Sequence, residues 1–97
     1  MTYEEALAIV LQALTTVNEE LDVPVEVSAE TPLFGADAAI DSLSLVSLIV
    51  DVEMEASDRL GRPVSLTDDR AMRREPSPFT TPAALAGYFT ELANEPA

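Results

Sequence analysis

The chain has 97 residues, 47% of them apolar, and 18 acidic residues oppose five basic ones for a net charge of −13. This length suits one small domain (1–97, with an ordered core over about 3–93) and is too short for two, while the apolar share separates the chain from a disordered polyelectrolyte. All five basic residues are arginine, and histidine, lysine and cysteine are absent, which excludes disulfides, thiolate metal sites and the usual serine triads and Ser-Lys dyads.

So acidic a surface repels nucleic acid and anionic membranes and suits partners that carry basic patches. No apolar run approaches the roughly 20 residues needed to span a bilayer. The start, Met1-Thr2-Tyr3-Glu4-Glu5, lacks the basic region of a signal peptide. The expectation is a cytoplasmic, monomeric protein.

Thr2 and Glu5 have the spacing of a capping box, and Ala6, Ile9, Val10, Ala13, Val17 and Leu21 follow at helical spacing, with Leu7 and Leu14 widening the stripe. The pattern predicts a first helix from about Tyr3 to about Asn18 or Glu20. A long connection then runs from Asp22 to Asp41, with Pro24, Pro32 and Gly35 preventing a regular element. Its length requires that it be packed down or functional. Val25, Val27, Leu33 and Phe34 are the apolar residues available, with Leu33 and Phe34 as the expected anchors. A turn over Ala36 to Ala39 would deliver Asp41 to a helix start.

Asp41 is a good N-cap, and the second helix is predicted from Ser42 to about Leu60, with Gly61 as its C′ residue. Placing its residues at 100° intervals separates two apolar stripes. Leu45, Leu48, Ile49, Val52, Ala56 and Leu60 form the expected core side. Leu43, Val46, Val50 and Met54 gather opposite, with Ser47 and Ser57 among them and with Asp51, Glu53, Glu55 and Asp58 at the rim. A second stripe implies a docking surface for another protein, unless the helix is central and buried on both sides. Ser42 would sit at the positive end of the helix, its hydroxyl toward solvent. A phosphate ester there would meet unpaired N–H groups and a favourable dipole.

Val64-Ser65-Leu66 reads as a lone extended segment. Thr67 can cap a short helix from Asp68 to about Arg74, which Pro76 and Pro78 stop. Thr81-Pro82 opens a last helix through about Leu92 or Asn94, with Leu85, Tyr88, Phe89 and Leu92 on its apolar face and Gly87 at a site suited to a close helix contact. Three longer helices and a short third one, with a long first loop and no strand pair, predict an all-α four-helix bundle.

With Asp41-Ser42-Leu43 at the head of its second helix, the chain resembles the acyl and peptidyl carrier protein family. Thr31-Pro32-Leu33 upstream, Leu45-Val46 and Leu48-Ile49 downstream and the acidic charge extend the resemblance from about Tyr3 to about Leu92. Asp-Ser-Leu alone is common; its place before a two-striped helix in an acidic chain of this length makes the match specific. The resemblance implies that Ser42 receives a 4′-phosphopantetheine arm from coenzyme A through a phosphopantetheinyl transferase. It implies that Asp41 helps position that transferase and its magnesium ion. It also places Leu43, Val46, Ser47 and Val50 on the recognition face, the same stripe that the helical spacing gives with Met54.

The chain departs from the carriers of primary fatty acid synthesis, which usually place acidic residues just after the motif, where Ser44 and Ser47 stand here. Its second helix is about a turn longer, and the Asp68–Phe79 stretch replaces a shorter acidic helix. These departures point to a specialised, free-standing carrier of acyl intermediates. Arg70, Arg73 and Arg74 form either a local basic contact for one partner or ion pairs with neighbouring carboxylates. Its implied partners are an acyl or aminoacyl ligase or transferase and a ketosynthase or other tailoring enzymes of a fatty-acid, polyketide or related pathway. A peptidyl carrier loaded by an adenylating ligase and an unmodified helical adaptor stay open as alternatives. Ser42 as a catalytic nucleophile does not, because a serine needs an adjacent base and an aspartate N-cap is a poor one. No calcium-loop spacing is present, and no enzymatic activity is expected.

Overall fold

The computed structural model describes residues 2–21, 25–35, 38–64, 66, 73 and 77–94. Among them the chain is all-helical, with three helices and no strand: α1 (Tyr3–Glu19), α2 (Ser42–Leu60) and α3 (Pro82–Ala93). The short helix expected over 68–74 falls outside the described residues, apart from Arg73, and Arg70 and Arg74 lie outside them too.

Each helix starts where its cap residue predicts. Thr2 Oγ1 accepts from the Glu5 N–H at 3.1 Å while Glu5 Oε1 accepts from the Thr2 N–H at 3.4 Å, the reciprocal pair of a capping box. Asp41 caps α2, and Thr81 Oγ1 caps α3 by accepting from the Ala84 N–H at 3.1 Å, with Pro82 in the first turn where no N–H is needed. The stop of α2 is equally local. Gly61 takes the left-handed conformation (φ 66°), and its N–H donates to the Ser57 carbonyl at 3.0 Å. A Cβ there would meet nothing within 4 Å, so the dihedral and not the space calls for glycine.

α1 packs against both other helices. It buries Ala6, Ile9, Val10, Ala13, Leu14 and Val17; α2 contributes Leu45, Leu48, Ile49, Val52 and Ala56; α3 adds Leu85, Ala86, Tyr88 and Phe89. Leu60 and Leu92, expected in the core, are half-buried at its edge. Gly87 does not mediate a close helix approach, because an added Cβ would find open space.

The connections complete the core. Leu33, Ile40, Leu66, Pro78 and Phe79 are buried, and Val25, Val27 and Val64 pack half-buried against them. Polar stitches fix these segments. Asn18 Oδ1 accepts from the Val25 N–H at 2.7 Å, which returns the chain after α1. Buried Thr31 receives the Ser28 N–H and donates its hydroxyl to the Glu26 carbonyl at 2.6 Å. The Leu33 N–H reaches the Thr80 carbonyl at 2.8 Å and the Ala83 N–H reaches the Ala29 carbonyl at 2.9 Å, tying the first connection to the start of α3. At the other end Arg62 Nη2 donates to the Leu92 carbonyl at 3.0 Å, satisfying a carbonyl in the last turn of α3. One expected anchor is reversed: Leu33 is 1% exposed, but Phe34 is 56% exposed. Leu33 turns inward where its N–H reaches Thr80, and Phe34 stands in the bend that follows, facing solvent.

Leu48→Ala should lower the unfolding free energy by about 3 kcal/mol, within the 2–5 kcal/mol typical of a buried leucine, and Arg62→Ala by about 1 kcal/mol through the lost carbonyl contacts. Urea denaturation measures both; a loss well under 1 kcal/mol at Leu48 would contradict the assignment of that side of α2 to the core.

Candidate functional site

The loop that ends at α2 is a closed structure. The Ala39 N–H donates to the Pro32 carbonyl at 2.8 Å, and the Ala38 N–H donates to the Gly35 carbonyl at 3.2 Å. Gly35 adopts a φ of 111°, open in practice only to glycine. Residues 36 and 37 of the expected turn lie outside the described residues. Ile40, just before the cap, and Leu45, four residues after it, are both buried and line one cleft. This spacing is that of a hydrophobic staple, which fixes the angle at which the chain enters the helix. Sequence reasoning missed it, although Ile40 and Leu45 carried its signal.

Asp41 Oδ1 accepts from the Ser44 N–H at 2.7 Å. The Ser44 N–H, then the Ser44 hydroxyl and last the Leu43 N–H, hold its carboxyl below the ordinary 3.8 against an opposing effect of desolvation. Asp41 is therefore a carboxylate at neutral pH. Ser42 is exposed in the first turn, and its hydroxyl has no partner among the described residues. Because Asp41 engages the Ser44 and Leu43 N–H groups, the donor of that first turn left to an anion on Ser42 is the Ser42 N–H. Beside it, a cleft of about 210 Å³ is lined by buried Leu33, Ile40 and Leu45 and by exposed Phe34, Asp41 and Ser42.

Down the outward side of α2, Leu43 is 77% exposed, Val46 56%, Val50 46% and Met54 66%, with Ser47 exposed among them. These exposures decide against burial of the helix on two sides. Ser57, expected on this stripe, is instead half-buried: its hydroxyl donates to the Glu53 carbonyl and accepts from the Val64 N–H at 3.1 Å. Glu53 is drawn off too, since its Oε1 accepts from the Leu66 N–H at 3.1 Å. Of the expected acidic rim, Glu53 thus lies toward Leu66. Asp51, Glu55 and Asp58 stand on the flank toward α1, and Asp51 and Glu55 also line a hollow between α1 and α2.

Among the described residues no group of three or more acidic side chains is placed to hold a metal ion, and no helix is long and apolar enough to cross a membrane. Comparison with family models, with characterised proteins and with solved structures finds no match to this chain. The site's own chemistry carries the reading.

Asp41 supplies a pH test. Its folded pKa lies below the unfolded value of 3.8, so its stabilisation is complete above that value and fades as pH falls through the folded pKa. Asp41→Asn keeps a capping acceptor and removes the charge. Wild type should exceed the variant in denaturation midpoint at pH 7 and pH 6, with the gap closing in acid below 3.8; a gap independent of pH would contradict the assignment.

Proposed function

We propose that the chain is a carrier protein whose Ser42 accepts a 4′-phosphopantetheine arm, and that the 68–74 stretch supplies the short helix of a four-helix carrier bundle. The observation that carries the reading is the placement of the Ser42 hydroxyl, exposed and without a partner among the described residues, in the first turn of α2. A charged cap precedes it and an exposed apolar stripe follows it on the same helix.

The residues fit a phosphodiester. Ser42 offers its oxygen to the transferase without breaking a hydrogen bond among the described residues. In the transfer that oxygen attacks the pyrophosphate of coenzyme A, a P–O bond forms as adenosine bisphosphate leaves, and the hydroxyl proton passes to the transferase. With neither histidine nor lysine in the chain, the base must come from that enzyme. The Ser42 N–H and the helix dipole then favour the phosphate's charge. Asp41, ionised and fixed by Ser44, is available to the transferase and its magnesium ion. Once bound, the arm supplies a thiol that holds an acyl group as a thioester. Leu43, Val46, Ser47, Val50 and Met54 give the enzymes that load and use this group a surface to dock on. Tethering raises the cargo's effective concentration at each docked enzyme.

The test is intact mass after incubation with a promiscuous phosphopantetheinyl transferase and coenzyme A. Wild type should gain the mass of one phosphopantetheine and Ser42→Ala none. No gain in wild type, or a gain that survives the substitution, would overturn the reading.

A further inference from the structure

We infer that the cleft walled by Leu33, Phe34, Ile40 and Leu45 seats the branched, doubly methylated part of the arm proposed for Ser42, so that the arm leaves the serine toward the loop before α2 and not over the exposed stripe. The inference rests on the carrier reading and deepens it. Ser42 itself lines this cleft, whose volume is about 210 Å³. In phosphopantetheine a single methylene separates the phosphate from a carbon that bears two methyl groups. Attachment at Ser42 therefore keeps that carbon beside the cleft.

Three features turn it inward. The Cα–Cβ bonds of a helix tilt toward its N-terminus, so the Ser42 oxygen projects toward the loop and away from Val46 and Val50. The walls are apolar: Leu33, Ile40 and Leu45 are buried, and Phe34, more than half exposed, stands beside them. Asp41 is at the rim, and its charge repels a phosphodiester. The phosphate thus stays at the helix end, and the neutral dimethyl group is the part that enters. A concave apolar surface meets such a group on several sides, whereas the stripe, on the convex side of a helix, meets it on one.

The seat is preformed. The Ala39 N–H closes the loop on the Pro32 carbonyl, and the Leu33 N–H ties it to the Thr80 carbonyl. Little is left to order when the seat fills, which keeps its entropic cost small. Size limits the occupant as well. About 210 Å³ lies below the roughly 300–1,000 Å³ of pockets that enclose a drug-sized ligand, so the cleft takes a compact branched group and not a long acyl chain. Phe34 gains a use in this arrangement. Its ring, turned to solvent in the free chain, covers the methyl pair and removes apolar surface from water. With the arm directed over the loop, Leu43, Val46 and Val50 stay open to a docking enzyme.

The test loads the ¹³C,¹⁵N-labelled chain with an unlabelled arm, using a promiscuous phosphopantetheinyl transferase and coenzyme A, and checks loading by intact mass. Isotope-filtered NOE spectra then report which protein protons lie near the arm's methyl pair. Contacts should run to the Phe34 ring and to the Ile40 and Leu45 methyls, and the ring should displace the arm's methyl resonances from their positions in free coenzyme A. Phe34→Ser, an exposed substitution, should fold and load as wild type does and lose that displacement; Val50→Ser should retain it. A loaded wild type whose arm methyls resonate as in free coenzyme A, or contact Val46 and Val50 instead, would overturn the seat and leave the carrier reading intact. A displacement that survives Phe34→Ser would do the same. No mass gain in wild type would overturn the carrier reading and the seat with it.

Discussion

Leu45, Leu48, Ile49, Val52 and Ala56 hold α2 against the rest of the chain along a single stripe, and the remainder of the molecule is arranged around that one-sided burial. Each fully buried aliphatic side chain contributes about 1.5–3 kcal/mol relative to exposure, so the stripe is sufficient to dock the helix. Nothing then requires an apolar residue on the opposite side. Leu43, Val46, Val50 and Met54 stand there nonetheless, in solvent, on a helix with polar residues available for such positions. Isolated exposed apolar residues need no explanation; a contiguous strip along one helix, starting beside an unpartnered serine hydroxyl, does.

The front end of α2 is built with matching care. The buried pair Ile40 and Leu45 sets the direction of the helix, the Pro32–Ala39 closure fixes the loop, and Asp41 occupies the Ser44 N–H. Ser42 is what these contacts leave free. The chain returning after α2 satisfies its N–H groups at Leu66 and Val64 with Glu53 and Ser57.

Much of this was legible in the residues. Caps at Thr2, Asp41 and Thr81 and the glycine stop at Gly61 act through neighbours within a few positions, so local sequence was enough to place all three helices. The two stripes of α2 were legible because helical period is a local property, and so was their assignment, the Leu45 side to the core and the Leu43 side to solvent, because so small a domain does not bury both. The failures depend instead on what α1 and the loops cover. Phe34 reads as an anchor because it is apolar, but anchoring depends on which way a loop side chain points once Leu33 is buried. Ser57 shares the angular position of the stripe yet lies under the chain at Val64, a contact that helical spacing alone does not reveal. Gly87 suits a close approach by its size, but the packing around it makes none.

Under the proposed carrier function, Ser42 and the outward stripe act as one unit, a modifiable group and the surface by which enzymes find it. The most direct test is kcat/KM for transferase-catalysed attachment of phosphopantetheine to Val46→Ser/Val50→Ser, two exposed substitutions that leave the core and Ser42 intact. The double variant should stay folded while its kcat/KM falls about fivefold or more, mainly through KM, because docking contacts are lost. A folded double variant modified as efficiently as wild type would contradict it.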